Sequence, residues 1–409
     1  MNIAADLRSA LDRVTRPPLL TAVAALMLAL LLAVVGHHLS GLRPPSGGRI
    51  DAGTGDFLAF WTGAVAVHEG SGASLYDYDV QREIQQRTLG GPSAAFQGYL
   101  NPPILAIALS PLVPLGYVAA FGVFDVACVL SLAAGLAMLC AIATGIGRVR
   151  GGLVALVLVV ASFQPMVETT FGGQNTAITF ALLAGLAFAH CRKSTLGAAL
   201  ALGLLTYKPQ YAAGAGIAFV IAGEWRVIAG AAAIAALHWV AASLWCGPAW
   251  PAAMLAFERA YRPLEQAANA HTHFSWTAVS SVLLPEPFAA VAALAGFAAV
   301  LAVWWRYRLL ASLEPRVWFA LVVLGTMLIS PHQQYYDAAL LALPAALLVD
   351  AGLRMQRPAG LGTRVALAAA YVGYPAWELD AFIQPLFFVL LALFVWAVRM
   401  AKSAGHVPA

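Results

Sequence analysis

Asp56 lies in the stretch GTGDFLAFW, residues 53–61, between glycines and a run of aromatic residues, and it follows soon after the apolar segment Leu19–Leu39. A charged side chain close to a membrane is costly, so it tends to mark a partner, a pore or a catalytic group. Lowered polarity would raise the pKa of this carboxyl and make it a better general base than a fully solvated aspartate. The alternative is that Asp56 caps a helix starting at Phe57, a role that aspartate suits well.

Three more groups of polar residues have the side-chain types that hold sugar hydroxyls. Each hydroxyl both donates and accepts hydrogen bonds, so amides, tyrosines, histidine and carboxylates suit it. One such group is compatible with a loop solvated at the membrane surface, but several on one face favour a substrate cavity. The groups are Tyr99 and Asn101; Glu168, Gln174 and Asn175; and His332, Gln333, Gln334, Tyr335, Tyr336 and Asp337.

Lys208 lies in LLTYKPQY, between two short apolar blocks and two residues before Gln210. One interpretation is a lysine that extends its amine to water from a helix end. The other is a cation that lines a cavity and binds an anionic group such as a lipid phosphate. In a second polar stretch, Arg262, His271 and His273 add positive or titratable charge. The HTH spacing is weak for a metal pair without other ligands, so we predict no metal site.

The elements that position these residues belong in a membrane. Hydrophobic residues make up 61% of the 409 residues and charged residues only 10%, with a mean hydropathy of +0.79. Apolar runs of about eighteen or more residues recur along the chain, enough for a helix to cross a bilayer. No alternating pattern indicates a β-barrel. We therefore predict an all-α polytopic membrane protein with about ten to thirteen transmembrane or half-spanning helices.

We predict a single transmembrane domain, residues 1–409, with two polar stretches. Residues 40–100 form a large first extracytoplasmic loop in which 57–69 and 78–88 are predicted as interfacial helices. Residues 247–275 form the second polar loop.

Topology depends on the proline-rich segment Asn101–Pro114. Prolines interrupt its apolar pattern, which favours a re-entrant half-helix over a full crossing. A half-helix also keeps Arg148 and Arg150 on the cytoplasmic side, in agreement with the preference of basic loops for that side.

Several functional classes are excluded by the sequence. There is no Walker loop and no GxGxxG motif opening a strand–helix unit, so neither a nucleotide site nor another cofactor is predicted. The formal charge of +4 carries no nucleic-acid signature, and the four cysteines show no CxxC pairing. A transporter or lipid flippase remains the main alternative, although such proteins usually place polar sites near the membrane midplane.

Five stretches, in order, resemble glycosyltransferase family 87. They are GDFLAFWTGAVAVHEGSGASLYD, YLNPPILAIALSPLVPL, GGQNTAITFALLAGLAF, GAALALGLLTYKPQ and SPHQQYYDAALLALP, within residues 50–350. The resemblance implies a GT-C fold and an active site on the extracytoplasmic face of a bacterial inner membrane.

The same resemblance implies the chemistry. The donor would be a polyprenyl-phosphate sugar, usually mannose, and the acceptor a glycolipid or glycan, with inversion at the anomeric carbon. Asp56 matches the expected general base, and His332 lies in a motif that lines the same cavity. The sequence HQQYYD departs from relatives that carry tryptophan or a second histidine there, which leaves the acceptor open. Metal independence is the expectation.

Overall fold

The computed structural model of the chain describes residues 16–40, 55–92, 96–269, 272–357, 359–373 and 384–404. In these ranges the regular structure is helical, apart from an isolated antiparallel bridge between His273 and Gln334. The prediction of an all-α polytopic membrane protein is confirmed.

Among the described residues, 6 helices are long and apolar enough to cross a membrane, or up to 7 when one bent pair counts as a single span. The bent pair changes direction by 56° at a short break before Pro165. The six long segments are Pro17–Ser40, Tyr117–Ile142, Trp225–Cys246, Phe288–Arg306, Tyr335–Arg354 and Leu386–Ala404, and the bent pair is Gly152–Ala161 with Gln164–Phe171.

Shorter apolar helices complete the bundle. Each is shorter than a full crossing requires. They are Phe57–His68, Pro103–Leu109 with its 3₁₀ extension Ser110–Leu115, Thr176–Cys191, Thr195–Leu204, Pro209–Ile221, Pro315–Ile329 and Leu361–Gly373. Three further helices lie outside these two groups. They are Tyr78–Leu89, Trp250–Asn269 and Trp276–Leu283.

The proline-rich segment forms a half-helix, as predicted. Pro103–Leu109 continues as a 3₁₀ turn to Leu115, and Gly116, with φ 80°, then starts the next helix. Even as continuous α-helix, this segment would rise only about 20 Å. The helix Tyr117–Ile142 that follows has 26 residues and is long and apolar enough to cross a membrane.

The turn that follows the helix Tyr117–Ile142 lies against the C-terminal end of the helix Ala342–Arg354. Asp350 Oδ1 accepts hydrogen bonds from the backbone N–H groups of Gly145 at 2.5 Å and Ile146 at 2.9 Å. Asp350 Oδ2 forms ion pairs with Arg316 Nε at 3.3 Å and Arg354 Nε at 3.2 Å. The carboxylate thus ties three segments together.

We call this end of the bundle the basic end. The carbonyl of Ala311 contacts His190 there at 2.9 Å, and Pro17 at the start of the first helix lies beside Gly151. Several basic residues lie in or next to these segments, and the sequence predicts Arg148 and Arg150 among them to be cytoplasmic. They are Arg148, Arg150, Arg192, Lys193, Arg316 and Arg354.

The centre of the bundle is the helix Pro315–Ile329, which is buried from Val317 to Leu328. Close helix contacts explain the glycines around it. A Cβ at Gly214 would overlap the side chain of Thr326. Small residues let membrane helices approach closely, and packing then replaces the hydrophobic effect as the driving force.

The two polar stretches differ from their predictions. The helix Phe57–His68 is not interfacial, because its residues Phe57 to Val67 are buried inside the protein. It is apolar on every face, and such a helix is stable only when surrounded. The second stretch, predicted as a polar loop, contains the long helix Trp250–Asn269.

Candidate active site

Asp56 lies at the start of the buried helix Phe57–His68, where Gly55 brings the chain against Gly172. Gly55 has φ +48°, and a Cβ there would overlap the carbonyl oxygen of Gly172. Only glycine combines this left-handed backbone with so close a contact. The close approach that Gly55 allows is therefore to the chain's own backbone.

The carboxylate of Asp56 is held by two glutamine amides. Gln174 Nε2 donates to Oδ2, and Gln97 Nε2 donates to Oδ1 at 3.5 Å. The side chain makes no capping hydrogen bond to its own helix, so it does not serve as a cap. Burial raises the pKa of Asp56 and the hydrogen bond from Gln174 only partly offsets this, which agrees with the raised pKa predicted for a base.

Lys208 forms a buried ion pair with Asp337, with 3.1 Å between Nζ and Oδ1 and side chains only 8% and 2% exposed. Thr176 bridges the pair, because its hydroxyl accepts from Lys208 Nζ at 3.1 Å and donates to Asp337 Oδ1 at 2.8 Å. The interpretation of Lys208 as a lysine reaching for water is therefore wrong. Its charge is balanced inside the protein, so it is not a free cation waiting for a phosphate.

Two buried amides near this ion pair have polar atoms without a partner among the described residues. Asn175 is 1% exposed, and neither its side-chain oxygen nor its nitrogen is hydrogen-bonded. Gln333 is fully buried and accepts from the Tyr211 hydroxyl at 3.0 Å, whereas its Nε2 is unpaired. Buried polar groups in folded proteins are nearly always paired, so these amides have hydrogen bonds to offer a ligand.

A cluster of two imidazoles and a carboxylate lies at the same end. Glu265 Oε1 is 3.1 Å from His273 Nε2 and accepts from Gln334 Nε2 at 2.9 Å. The rings of His273 and His332 meet edge to face, with centroids 5.2 Å apart. Burial raises the pKa of Glu265, but His273 and the other partners outweigh it, so the net pKa is lowered. Burial lowers the pKa of His332, as does the neighbouring His273.

Tyr336 connects these groups. The charges of Asp337, Asp56 and Glu265 all act on its hydroxyl. Tyr336 therefore lies close enough to all three carboxylates to sense their charge.

Other predicted site residues have local structural contacts. The Tyr99 hydroxyl is fully buried, donates to the carbonyl of Pro102 at 2.8 Å and accepts from the N–H of Ala106 at 3.0 Å. It thus holds the turn into the half-helix, and the prediction of a substrate contact is wrong for this hydroxyl. Arg262 is exposed and forms an ion pair with Glu258 of its own helix at 2.7 Å, so its charge is already paired at the protein surface.

Asn101, Glu168 and Gln210 also lie at the Asp56 end of the bundle. The Asn101 carbonyl accepts from the Tyr76 hydroxyl at 2.7 Å. The Glu168 carbonyl accepts from the N–H of Gly172 at 2.7 Å, in the turn that meets Gly55. Gln210 is partly buried in the first turn of Pro209–Ile221. Their side chains remain predicted substrate contacts, and His271 lies outside the described residues.

Sequence reasoning missed three residues of this site. Thr176 directly follows the GGQN stretch, so its position was available from the sequence. Gln97 and Glu265 carried no such signal, because each meets its partners only through the tertiary structure.

The family model of glycosyltransferase family 87 matches residues 99–331. The match includes Gln174, Lys208 and the helix Trp250–Asn269, whereas Asp56 precedes it and His332 follows it directly. No curated protein and no solved structure was found to match the chain.

Proposed function

The chain belongs to glycosyltransferase family 87, and from this premise we propose that it transfers a hexose, mannose above all, from a polyprenyl-phosphate donor to a lipid or glycan acceptor. Family membership supports a membrane glycosyltransferase with sugar donor and acceptor sites. The observation that carries the proposal is the setting of Asp56, a partly buried carboxylate with a raised pKa held by two amides.

Asp56 acts as the general base. It takes the proton of an acceptor hydroxyl while that oxygen forms a bond to the anomeric carbon. The bond from this carbon to the donor phosphate oxygen breaks on the opposite face, and the phosphate leaves with the electron pair. A β-linked donor therefore gives an α-linked product. Gln174 and Gln97 orient the carboxylate, since each amide donates to a different oxygen.

Sugar hydroxyls are bound by side chains whose donor or acceptor atoms have no partner in the protein. Asn175 offers one amide donor group and one acceptor, and Gln333 offers its Nε2. Tyr336 adds a hydroxyl among the carboxylates. This mixture of donors and acceptors suits a hexose.

An apolar groove supports a lipid-linked donor. It has a volume of about 480 Å³ and one carboxylate, Asp125, in an otherwise apolar lining. Phe171 belongs to the lining and directly precedes Gly172, which contacts Gly55 beside the proposed base. An isoprenoid chain in the groove would hold its phosphate near Asp56. The lining residues are Leu39, Val118, Phe121, Gly122, Asp125, Val126, Val129, Leu130 and Phe171.

Charge distribution supports an extracytoplasmic active site. The basic end carries the arginine clusters that favour the cytoplasm, and Asp56 lies at the opposite end of the bundle. We infer a single domain over residues 1–409, in the inner membrane of a bacterium with Asp56 facing the periplasm. The polar groups gather at one end instead of the midplane, which supports a transferase over a flippase.

The test is transfer in proteoliposomes. Purified chain is given polyprenyl-phosphate mannose or GDP-mannose, with acceptor glycolipids freed of polyprenyl phosphate and of other enzymes, and labelled glycolipid is measured. We expect product only from the lipid-linked donor and none from Asp56→Asn. Transfer from GDP-mannose without polyprenyl phosphate would disprove the donor, and lipid translocation without a new glycosidic bond would establish a flippase.

A further inference from the structure

We propose that Glu265, His273 and His332 form a binding site for a divalent transition-metal cation, with Zn²⁺ as the best match. One ligand atom from each residue lies within 4.8 Å of the other two. Two imidazoles and one carboxylate are a common ligand set for Zn²⁺, and three protein ligands leave a fourth position open. The sequence favoured no metal because the HTH pair has poor spacing, but the tertiary structure combines a different set of residues.

The distances are close to those of a bound ion. Ligand atoms of a tetrahedral Zn²⁺ site lie about 3.3 Å apart, given metal–ligand bonds of about 2.0–2.1 Å. His273 Nε2 and Glu265 Oε1 are already at 3.1 Å. The ligand atom of His332 therefore has to approach by at most about 1.5 Å, the difference between the 4.8 Å limit and this spacing.

A neutral amide now lies where the cation would bind. Gln334 Nε2 donates to Glu265 Oε1 at 2.9 Å and is 3.4 Å from His332 Nε2. Both contacted atoms carry lone pairs, so the amide N–H group makes the contacts that a cation would make more strongly. A bound ion replaces this group, and the amide turns its oxygen towards the metal or moves aside.

The backbone holds the ligands in place before any ion binds. His273 and Gln334 form an antiparallel bridge, and the N–H of Phe274 donates to the carbonyl of Gln333 at 3.1 Å. Ser330 Oγ donates to the carbonyl of His332 at 2.9 Å. Glu265 and His273 side chains are each only 10% exposed. A rigid and largely dry set of ligands loses little entropy on binding an ion.

The charge balance of the site indicates what such an ion would do. This step rests on the proposed function. Of the described lysines and arginines, Lys208 is the one that is buried, and Asp337 neutralises it. Asp56 and Glu265 then leave the region negative, although a phosphate-bearing donor has to enter it. A divalent cation reverses that balance, and its open position can accept a phosphate oxygen.

Metal binding is measured on the full-length protein in nanodiscs, without any transfer assay. The chain is stripped with EDTA, titrated calorimetrically with Zn²⁺ alone, and analysed for bound metal after removal of free ions. We expect about one Zn²⁺ per chain. His273→Ala and His332→Ala should each weaken binding at least roughly tenfold, whereas His68→Ala, at an exposed histidine of Phe57–His68, should bind as the wild type does.

Two further variants keep the result interpretable if an alanine variant misfolds. Glu265→Gln preserves the hydrogen bond to His273 but removes the anionic ligand, so binding should weaken. Gln334→Glu adds a carboxylate and should tighten binding. Melting temperatures in EDTA check that each variant is folded.

The proposal is overturned if the wild type retains no Zn²⁺, or if both histidine variants bind as tightly as His68→Ala does. Co²⁺ in place of Zn²⁺ should give the visible absorption of a tetrahedral site, and an octahedral spectrum would also overturn it. These readouts do not involve sugar transfer. Failure here therefore leaves the glycosyltransferase proposal standing, and failure of the transfer test leaves the metal site standing.

Discussion

Two acidic residues at opposite ends of the bundle, Asp350 and Asp56, have contrasting surroundings. Asp350 is fully buried and both its oxygens are paired, with two backbone N–H groups and two arginines. Asp56 has two amide donors, one of them at 3.5 Å, and the side chain of Asn175, which follows Gln174, has no partner among the described residues. A complete polar network stabilises a fold, whereas an incomplete one leaves hydrogen bonds for a ligand.

Both ends contain buried charge, so burial alone does not identify an active site. The Asp56 end has two buried amides with unpaired atoms, Asn175 and Gln333, whereas Trp318 near the Asp350 end has a single unpaired indole donor. The comparison predicts that changes at Asp56 alter turnover and changes at Asp350 alter stability.

The largest effect is expected for Asp56→Asn, which should lower turnover by roughly 10²–10⁴-fold because asparagine cannot accept the proton. Stability should not fall. Burial raises the pKa of Asp56, so its ionised form costs stability as pH rises through that pKa, and a neutral amide avoids this cost. Turnover is measured with saturating donor, and melting temperature at neutral pH.

Equal activity of Asp56→Asn and the wild type would break the comparison and move the base to Glu168 or Asp337. Asp56→Glu serves as the matched control, because it keeps the carboxylate but displaces it. Partial activity in this variant would tie the loss to proton transfer.

Next in size is Asp350→Asn, which should destabilise the protein by about 3 kcal/mol because Arg316 and Arg354 lose the partner they share. Turnover per folded molecule should stay at the wild-type value. Unfolding is followed by denaturant or thermal titration in detergent, and activity is normalised to the folded fraction. Loss of turnover in fully folded protein would show that the two ends are coupled.

A smaller effect is expected for Asn175→Leu. Removing a buried amide without partners should leave stability unchanged or raise it by about 1 kcal/mol, since an unpaired polar group is costly to bury. Catalytic efficiency should fall by about tenfold, because the sugar loses its hydrogen bonds. Donor and acceptor titrations of kcat/KM measure this. A destabilised variant with normal efficiency would make Asn175 a structural residue like Asp350.

The smallest expected effect is a shift in pH dependence. Only ionised Asp56 accepts a proton, so transfer should decrease as pH falls, with a midpoint above that of an exposed aspartate. Gln174 lowers the pKa through its hydrogen bond, so Gln174→Leu should move the midpoint to higher pH. Rates at saturating donor across acidic to neutral pH test this. Identical profiles in the two proteins would mean that another group controls the rate.

The sequence alone determined the class of fold, an all-α polytopic membrane protein. Apolar runs need only the helix repeat and the bilayer thickness to be recognised as membrane helices, and both are local properties. The prolines predicted the short helix before Tyr117, because a proline removes a backbone hydrogen bond from its own turn of helix, which is also a local effect. The interfacial prediction for Phe57–His68 failed because burial of a short helix depends on what surrounds it.

The sequence also nominated Asp56, because a carboxylate between glycines beside an apolar segment is unusual wherever the chain folds. The hydrogen-bond partners of Asp56 could not be predicted from the sequence, because they are remote in the chain. Gln97 and Gln174 lie 41 and 118 residues away from Asp56, and Lys208 lies 129 residues from Asp337.

Only the tertiary structure decided which polar residues are satisfied and which are free to bind. Hydrogen bonding depends on distances of about 3 Å, and no local pattern encodes such distances between remote segments. That is why neither interpretation of Lys208 included its ion pair with Asp337. It is also why Glu265, His273 and His332 became a metal-site candidate that the spacing of two histidines did not predict.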